Sequence, residues 1–259
     1  MVVGRFSKLQ KISSVDISGL LKLSEIILIR PTKGLMIPSL SEMFGIRNER
    51  EFFSNENFNN VLRNKTHTHI ISIGGKNALV TKDLFINFLS LVLERSDKNG
   101  VYKQPPIRKY SKFERDLYDE ILHQGAVSKK SLILQFGLSG KKSRKLLDDA
   151  LMKLWETLWI MQVGFQKEEG SVWQAVIKRD KASVHRALKV DKTRALKKII
   201  SAVVRGSKVI TRPQIRRLLK GIAPSEEVDK VITRLLTESV IDVSPKVIIN
   251  GKKGLVYKK

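Results

Sequence analysis

The sequence predicts a mainly α-helical protein with small β-hairpins, built as tandem winged helix-turn-helix domains. Three observations point there. One order of elements occurs twice after Ser111, each copy closes on a hairpin signal, and the chain is strongly basic. The first copy is VSKKSLILQFGLSGKKSRKLLDDALMKLWETLWIMQV from Val127, and the second is ITRPQIRRLLKGIAPSEEVDKVITRLLTESVIDV from Ile210.

Each copy opens on a residue that can cap a short helix, Ser128 or Thr211, because a hydroxyl there can accept an otherwise unpaired backbone N–H. A glycine follows near the helix end, Gly137 or Gly221, where a left-handed residue commonly stops a helix. Ser139 and Ser225 are then expected to cap a longer helix. Its buried face is expected to carry Leu146, Leu147, Leu151 and Leu154 in one copy, and Val228, Ile232, Leu235 and Leu236 in the other. Spacings of three and four residues put each set on one helical stripe. Apolar runs at 159–163 and 172–177, and at 240–243, 247–249 and 255–257, read as hairpin strands. Asn250-Gly251 supplies the strongest turn signal. A further helix precedes each unit, at 112–124 and 193–205. Helix, helix-turn-helix, hairpin is the order of a winged helix.

Residues 1–95 form an N-terminal α+β region. MIPSLSEMFGIRN there matches the apolar spacing of AVSKKSLILQFGLSG, and FNNVLRNKTHTHIISIGGKNALVT gives helix, strand, turn, strand, with Gly74-Gly75 as the turn. A helix from Lys82 to Leu93 follows. A third, diverged winged helix and an unrelated α+β segment are both open for this region. RSDKNGVYKQPPIRKYS, with Asn-Gly, Pro-Pro and little periodicity, marks a linker over 96–110. Residues 111–178 are then one winged-helix domain, and 179–259 a basic connector helix with a C-terminal winged helix. The connector, KRDKASVHRALKVDKTRALKKII, holds nine Lys or Arg against two Asp.

Forty-nine Lys+Arg against 25 Asp+Glu leave a net charge of +24, where solubility of a small domain needs only about 2–8. Such an excess suits a polyanionic partner, and double-stranded DNA is the expected one. With no cysteine, disulfides, Cys-ligated zinc and iron–sulfur clusters are excluded. The opening MVVGRFSKLQKISS lacks the apolar stretch of a signal peptide, and the run at 26–29 is far too short to cross a bilayer. A cytoplasmic, nucleoid-associated location without membrane contact is expected.

In a helix-turn-helix the second helix enters the major groove with its N-terminal residues on the DNA. Lys141, Lys142, Arg144 and Lys145 crowd that end in the first copy. Cations there oppose the helix dipole, while phosphate contacts reward them through counterion release. Lys129 and Lys130 flank them on the preceding helix. The second copy opens its longer helix with Glu226, Glu227 and Asp229. Its cations lie on the first helix of the motif, Arg212, Arg216, Arg217 and Lys220, and at the wing, Lys252 and Lys253. These are its expected contacts, and docking to another protein is the competing role for this acidic-fronted unit.

No grouping amounts to an enzyme site. His67 and His69 share a strand face but lack a third ligand nearby in sequence, and His123 and His185 are isolated. Asp148-Asp149 and Glu168-Glu169 are sequence neighbours that point apart on a helix or sit in a loop. There is no Walker A motif and no Gly-x-Gly-x-x-Gly. Trp155, Trp159 and Trp173 read as packing groups, with base stacking the competing role. No metal or cofactor is expected.

Over LDDALMKLWETLWIMQVGFQKEEGSVWQAV the sequence resembles the winged-helix family that includes the bacterial crosslink-repair DNA glycosylases of the AlkZ/YcaQ type. The apolar-x-x-Leu-Trp pattern ending the helix, the QVG step into the wing and the Trp173 strand carry the likeness. It is clearest over 111–176, weaker over 193–257 and faint before Leu93. The resemblance implies a DNA-binding architecture of tandem winged helices. The family's glycosylases use a Gln-apolar-Gln or Gln-apolar-Asp motif for base excision. No Gln here is followed two residues later by Gln or Asp, so no catalytic residue carries over. The expected function is phosphate-directed, non-catalytic binding of duplex DNA, as a transcriptional regulator or chromosome-organising protein. The alternatives are a glycosylase with a divergent site and a protein-interaction module of transcription or replication machinery.

Overall fold

The computed structural model describes residues 14–32, 37–45, 49–54, 68–93, 105, 109–207, 209–249 and 251–257. The structure is mainly helical with small antiparallel sheets, the class read from the sequence. His67, the helix expected near 58–64 and most of the linker lie outside the described residues.

The chain begins with α1 (Ser14–Ser24), β1 (Ile26–Leu28), α2 (Leu40–Phe44) and α3 (Glu49–Ser54), then β2 (Thr68–Ile73), β3 (Lys76–Thr81) and α4 (Lys82–Val92). The sheet order is β1-β3-β2, antiparallel, with Ile26 opposite Val80 and Ile70 opposite Leu79. A second group follows: α5 (Lys112–Gln124), β4 (Val127–Ser128), α6 (Lys129–Gln135), α7 (Lys141–Glu156), β5 (Ile160–Gln166) and β6 (Gly170–Ala175), in sheet order β4-β6-β5. Short helices α8 (Val176–Arg179) and α9 (Lys181–Ala187) lead to α10 (Lys192–Gly206), α11 (Arg212–Leu218), α12 (Ser225–Thr237), β7 (Ile241–Ile249) and β8 (Lys252–Tyr257). In this third group an isolated antiparallel bridge, Ile210 to Leu255, stands where β1 and β4 stand in the others.

Local chemistry explains the element ends. Ser128 caps α6 by accepting from Ser131 N at 3.0 Å, and Gly137 takes φ +62° after that helix. The expected second caps shift by one residue. Gly140 caps α7, with Ser143 Oγ accepting from Gly140 N at 3.1 Å, and Pro224 precedes α12. Ile177 falls in α8 rather than in a strand. The connector is three helices, and both of its aspartates are N-caps: Asp180 for α9 and Asp191 for α10.

The core runs as one hydrophobic cluster from Ile17 to Leu255. At its centre α4 buries seven consecutive residues, Leu84 to Ser90, as a helix covered on all sides must. One side meets β2 and β3, and the other meets α9 and α10. Its polar members are satisfied locally: Asn87 Nδ2 donates to Asp83 O at 2.6 Å and Ser90 Oγ donates to Asn87 O at 2.8 Å. The β2–β3 turn docks on the third group. A Cβ at Gly74 would stand 3.0 Å from both Arg217 O and Leu218 Cα, whereas one at Gly75 would meet nothing within 4 Å. Both glycines have positive φ, so both resist a side chain through backbone strain of about 1–2 kcal/mol. Gly74→Ala is therefore expected to destabilise the chain clearly more than Gly75→Ala in urea unfolding. Equal losses would mean that the close approach to α11 contributes nothing.

Candidate nucleic-acid interface

Lys141, Lys142, Arg144 and Lys145 are all exposed on the first turns of α7, and none has an ion-pair partner among the described residues. The first turn holds no acidic residue and is capped only by the Ser143 hydroxyl. Leu147, Ala150, Leu151 and Leu154 form the inward stripe. Leu146, expected in the core, is instead 52% exposed on the outer face with the cations; at 100° per residue the inward stripe has no room for it beside Leu147.

The neighbouring cations are more constrained. Lys129 pairs with Asp148 and Lys130 with Glu169, whose carboxylate also accepts from Ser128 Oγ at 2.8 Å. These donors hold the Glu169 carboxyl below its ordinary value. In the third group Arg216 forms a two-point pair with Asp229, Nε to Oδ1 at 2.8 Å and Nη2 to Oδ2. Arg212 Nη1 reaches Thr233 Oγ1 at 3.4 Å. One acid near the opening of α12, Asp229, thus answers one cation of α11, while Glu226 and Glu227 are exposed. Arg217 and Lys220 are exposed without an ion-pair partner among the described residues. Lys253 is exposed on β8, and Lys252 opens that strand.

The three tryptophans are packing groups. Trp155, Trp159 and Trp173 are buried; Trp155 meets Trp173 edge-on at 5.2 Å, and Tyr118 meets Trp159 edge-on at 5.3 Å. Rings enclosed in this way cannot stack on bases without unpacking the core. His69 is also structural. It stacks on Phe85 at 4.0 Å, with Nε2 3.3 Å from Asp180 Oδ2, off the line of a well-aligned hydrogen bond. Among the described residues no three His, Cys, Asp or Glu side chains cluster to hold a metal ion, and no helix is long and apolar enough to cross a membrane.

Sequence reasoning missed two features. Asp180 is a buried acceptor that joins the groups: Oδ1 takes Ser183 N at 3.0 Å, and Oδ2 takes Ser183 Oγ at 2.7 Å and Lys82 Nζ at 3.3 Å. Burial alone would raise its pKa, but the contacts from His69, Ser183 and Lys82 hold the carboxyl far below the usual range. Burial lowers the pKa of His69 in spite of the facing carboxylate. The second feature is a cleft of about 420 Å³ between the β2–β3 turn, the last turn of α7 and the α11–α12 turn. Arg217 and Lys220 line it opposite Lys153 and Glu156. Lys153 is held by Glu114 at 2.8 Å and lies over the Tyr110 ring at 4.9 Å. No periodicity signals such a cleft, because its walls come from three separate groups.

The described chain is thus three helix-and-hairpin groups, one of which has a basic helix start without ion-pair partners among the described residues. The comparisons with known proteins give the family. The model of the AlkZ-related family matches residues 71–220, more than half of the chain. The chain belongs to that family. Among solved structures it is similar to the DNA glycosylase AlkZ of Streptomyces sahachiroi, with 12% identity, a TM-score of 0.49, and coverage of 96% of this chain and 71% of that one. No curated protein matches.

Removal of Asp180 leaves buried donors without an acceptor. Asp180→Ala is expected to cost about 3 kcal/mol in denaturant unfolding. His69 has a lowered folded pKa, so the unfolded chain takes up a proton near pH 6.5 while the folded chain does not. Stability therefore falls as pH drops from about 6.5 toward the folded value. Asp180 adds a further loss below about pH 3.9, as the unfolded carboxyl protonates first. Thermal melts between pH 7.5 and 5 should show a downward slope that His69→Phe flattens.

Proposed function

We propose that this chain is a duplex-DNA-binding protein of the repair type, built of three winged helices and gripping phosphates through the start of α7. The winged-helix reading draws support from topology. Among the described residues each group orders its elements as helix, short strand or bridge, further helices and hairpin, and places the first strand or bridge beside the last strand. The observation that carries the binding reading is the contrast in charge. Four exposed cations without ion-pair partners among the described residues stand at an N-terminus whose dipole disfavours them, while Arg216 beside α12 is paired internally. A helix start that carries uncompensated cations is stabilised when phosphates arrive, by about 1 kcal/mol or more per contact at modest salt.

The same reading bears on the hairpins. The first turn is packed on α11 through Gly74, and in the second Glu169 is bound to Lys130 and Ser128. In the third hairpin Lys253 is exposed on β8, and this reading takes it onto the duplex with the start of α7. The family relation supports base excision at least as strongly as binding alone, although the Gln-apolar-Gln or Gln-apolar-Asp motif is absent. No observation favours a transcription regulator or a protein-docking role for the third group.

Filter binding across about 50–300 mM salt should show affinity falling steeply, and Lys141→Ala with Arg144→Ala should weaken all sequences alike and reduce the salt slope by about 2. Affinity that is flat across that range refutes the reading. Release of base from alkylated or crosslinked duplex by the full chain would establish the excision reading. Tight binding without release would leave binding alone.

A further inference from the structure

We propose that the cleft where the three groups meet binds a nucleoside monophosphate unit. Its site does not draw on the cations at the start of α7. The cleft has the volume of a small-molecule site, about 420 Å³. Its chemistry is two-sided. Arg217 and Lys220 approach one wall from α11 and the turn after it, neither with an ion-pair partner among the described residues. A guanidinium and an ammonium at one wall match a phosphate, the first by its planar fork and the second as a point charge. Lys153 adds positive potential, although Glu114 already engages its ammonium.

The other side is not built for a bare anion. Glu156 lines the cleft and has no ion pair among the described residues. A carboxylate repels phosphate but accepts from N–H and O–H groups, such as a sugar hydroxyl or an exocyclic amine. Ile222 offers an apolar surface for one face of a base. At the hairpin wall Ser72 is only 3% exposed, and its Oγ has no hydrogen-bond partner. Gly75 and Gly221 leave open space where side chains would stand. Cations at one wall, a carboxylate and an apolar contact together describe a phosphate with a nucleoside attached, either free or as one residue of a strand.

Calorimetric titration of the full chain with deoxyadenosine 5′-monophosphate, inorganic phosphate and a short single-stranded oligodeoxynucleotide tests the assignment. The mononucleotide or the oligonucleotide should bind at least about tenfold more tightly than phosphate. Arg217→Ala and Lys220→Ala should each weaken that binding about tenfold, with Arg217→Lys losing less. Lys141→Ala with Arg144→Ala should leave binding of the mononucleotide unchanged. Mononucleotide binding identifies a free nucleotide as the ligand; oligonucleotide binding that is weakened by the Arg217 and Lys220 variants, without mononucleotide binding, identifies a residue within a strand. Phosphate binding as tightly as either probe overturns the proposal, as does binding indifferent to Arg217 and Lys220. Both side chains are exposed, so these variants do not depend on repacking the core. Duplex affinity lost only in the α7 variant, with cleft binding intact, separates the two sites.

Discussion

The arrangement of the whole chain depends on the burial of α4 between its own sheet and the α9–α10 pair. Seven consecutive buried residues leave that helix no solvent face, so it can be stable only when residues from the connector cover it. Asp180 fixes how the cover is seated. One carboxylate begins α9 through Ser183 and meets His69 of β2 and Lys82 at the start of α4. Helix capping, strand and hub helix thus share a single acceptor. Two further contacts join the first and third groups: Arg205 pairs with Glu25 at 2.9 Å while lying over Tyr257 at 4.6 Å, and Gly74 lets the hairpin backbone rest on α11. The apolar contact area supplies most of the free energy, and the polar contacts select one docking geometry, since a misplaced Asp180 would leave several buried donors unpaired.

What the sequence reveals and what it conceals follow from the range of the interactions involved. The helix at 112–124, the caps Ser128 and Thr211 and the hairpin turns depend on residues within a few positions of one another, and periodicity with cap chemistry exposes them. Leu146 was placed in the core because i, i+1 apolar pairs cannot be separated by spacing alone; the fold chose Leu147 for the interior. Asp180 looked like one of two acids in a basic run. Its meaning lies in His69 and Lys82, far away in sequence, and nothing local marks it. The cleft is hidden for the same reason. Arg217 and Lys220 were identifiable as cations on a short helix, but the β2–β3 turn and the end of α7 that make them a cleft wall are visible only in three dimensions.

The distribution of charge returns to the basic start of α7. Cations outnumber acids by 24, and in parts of the molecule the acids present cancel neighbouring cations: Arg216 with Asp229, Lys197 and Arg234 with Glu238, Arg186 with Asp83. Exposed pairs of this kind contribute little to stability, but they remove local potential. Around α7 the acids are arranged otherwise. Asp148 and Glu169 engage Lys129 and Lys130, leaving Lys141 to Lys145 unanswered. Self-repulsion and an opposed dipole make that grouping unfavourable in the free chain, and only an external anion with several charges in a row relieves both at once. Isolated phosphates would satisfy one cation each and pay full binding entropy every time, whereas a strand presents its phosphates already linked. On the proposed reading, the helix start therefore selects a polymer, while the mixed chemistry of the cleft selects a single unit.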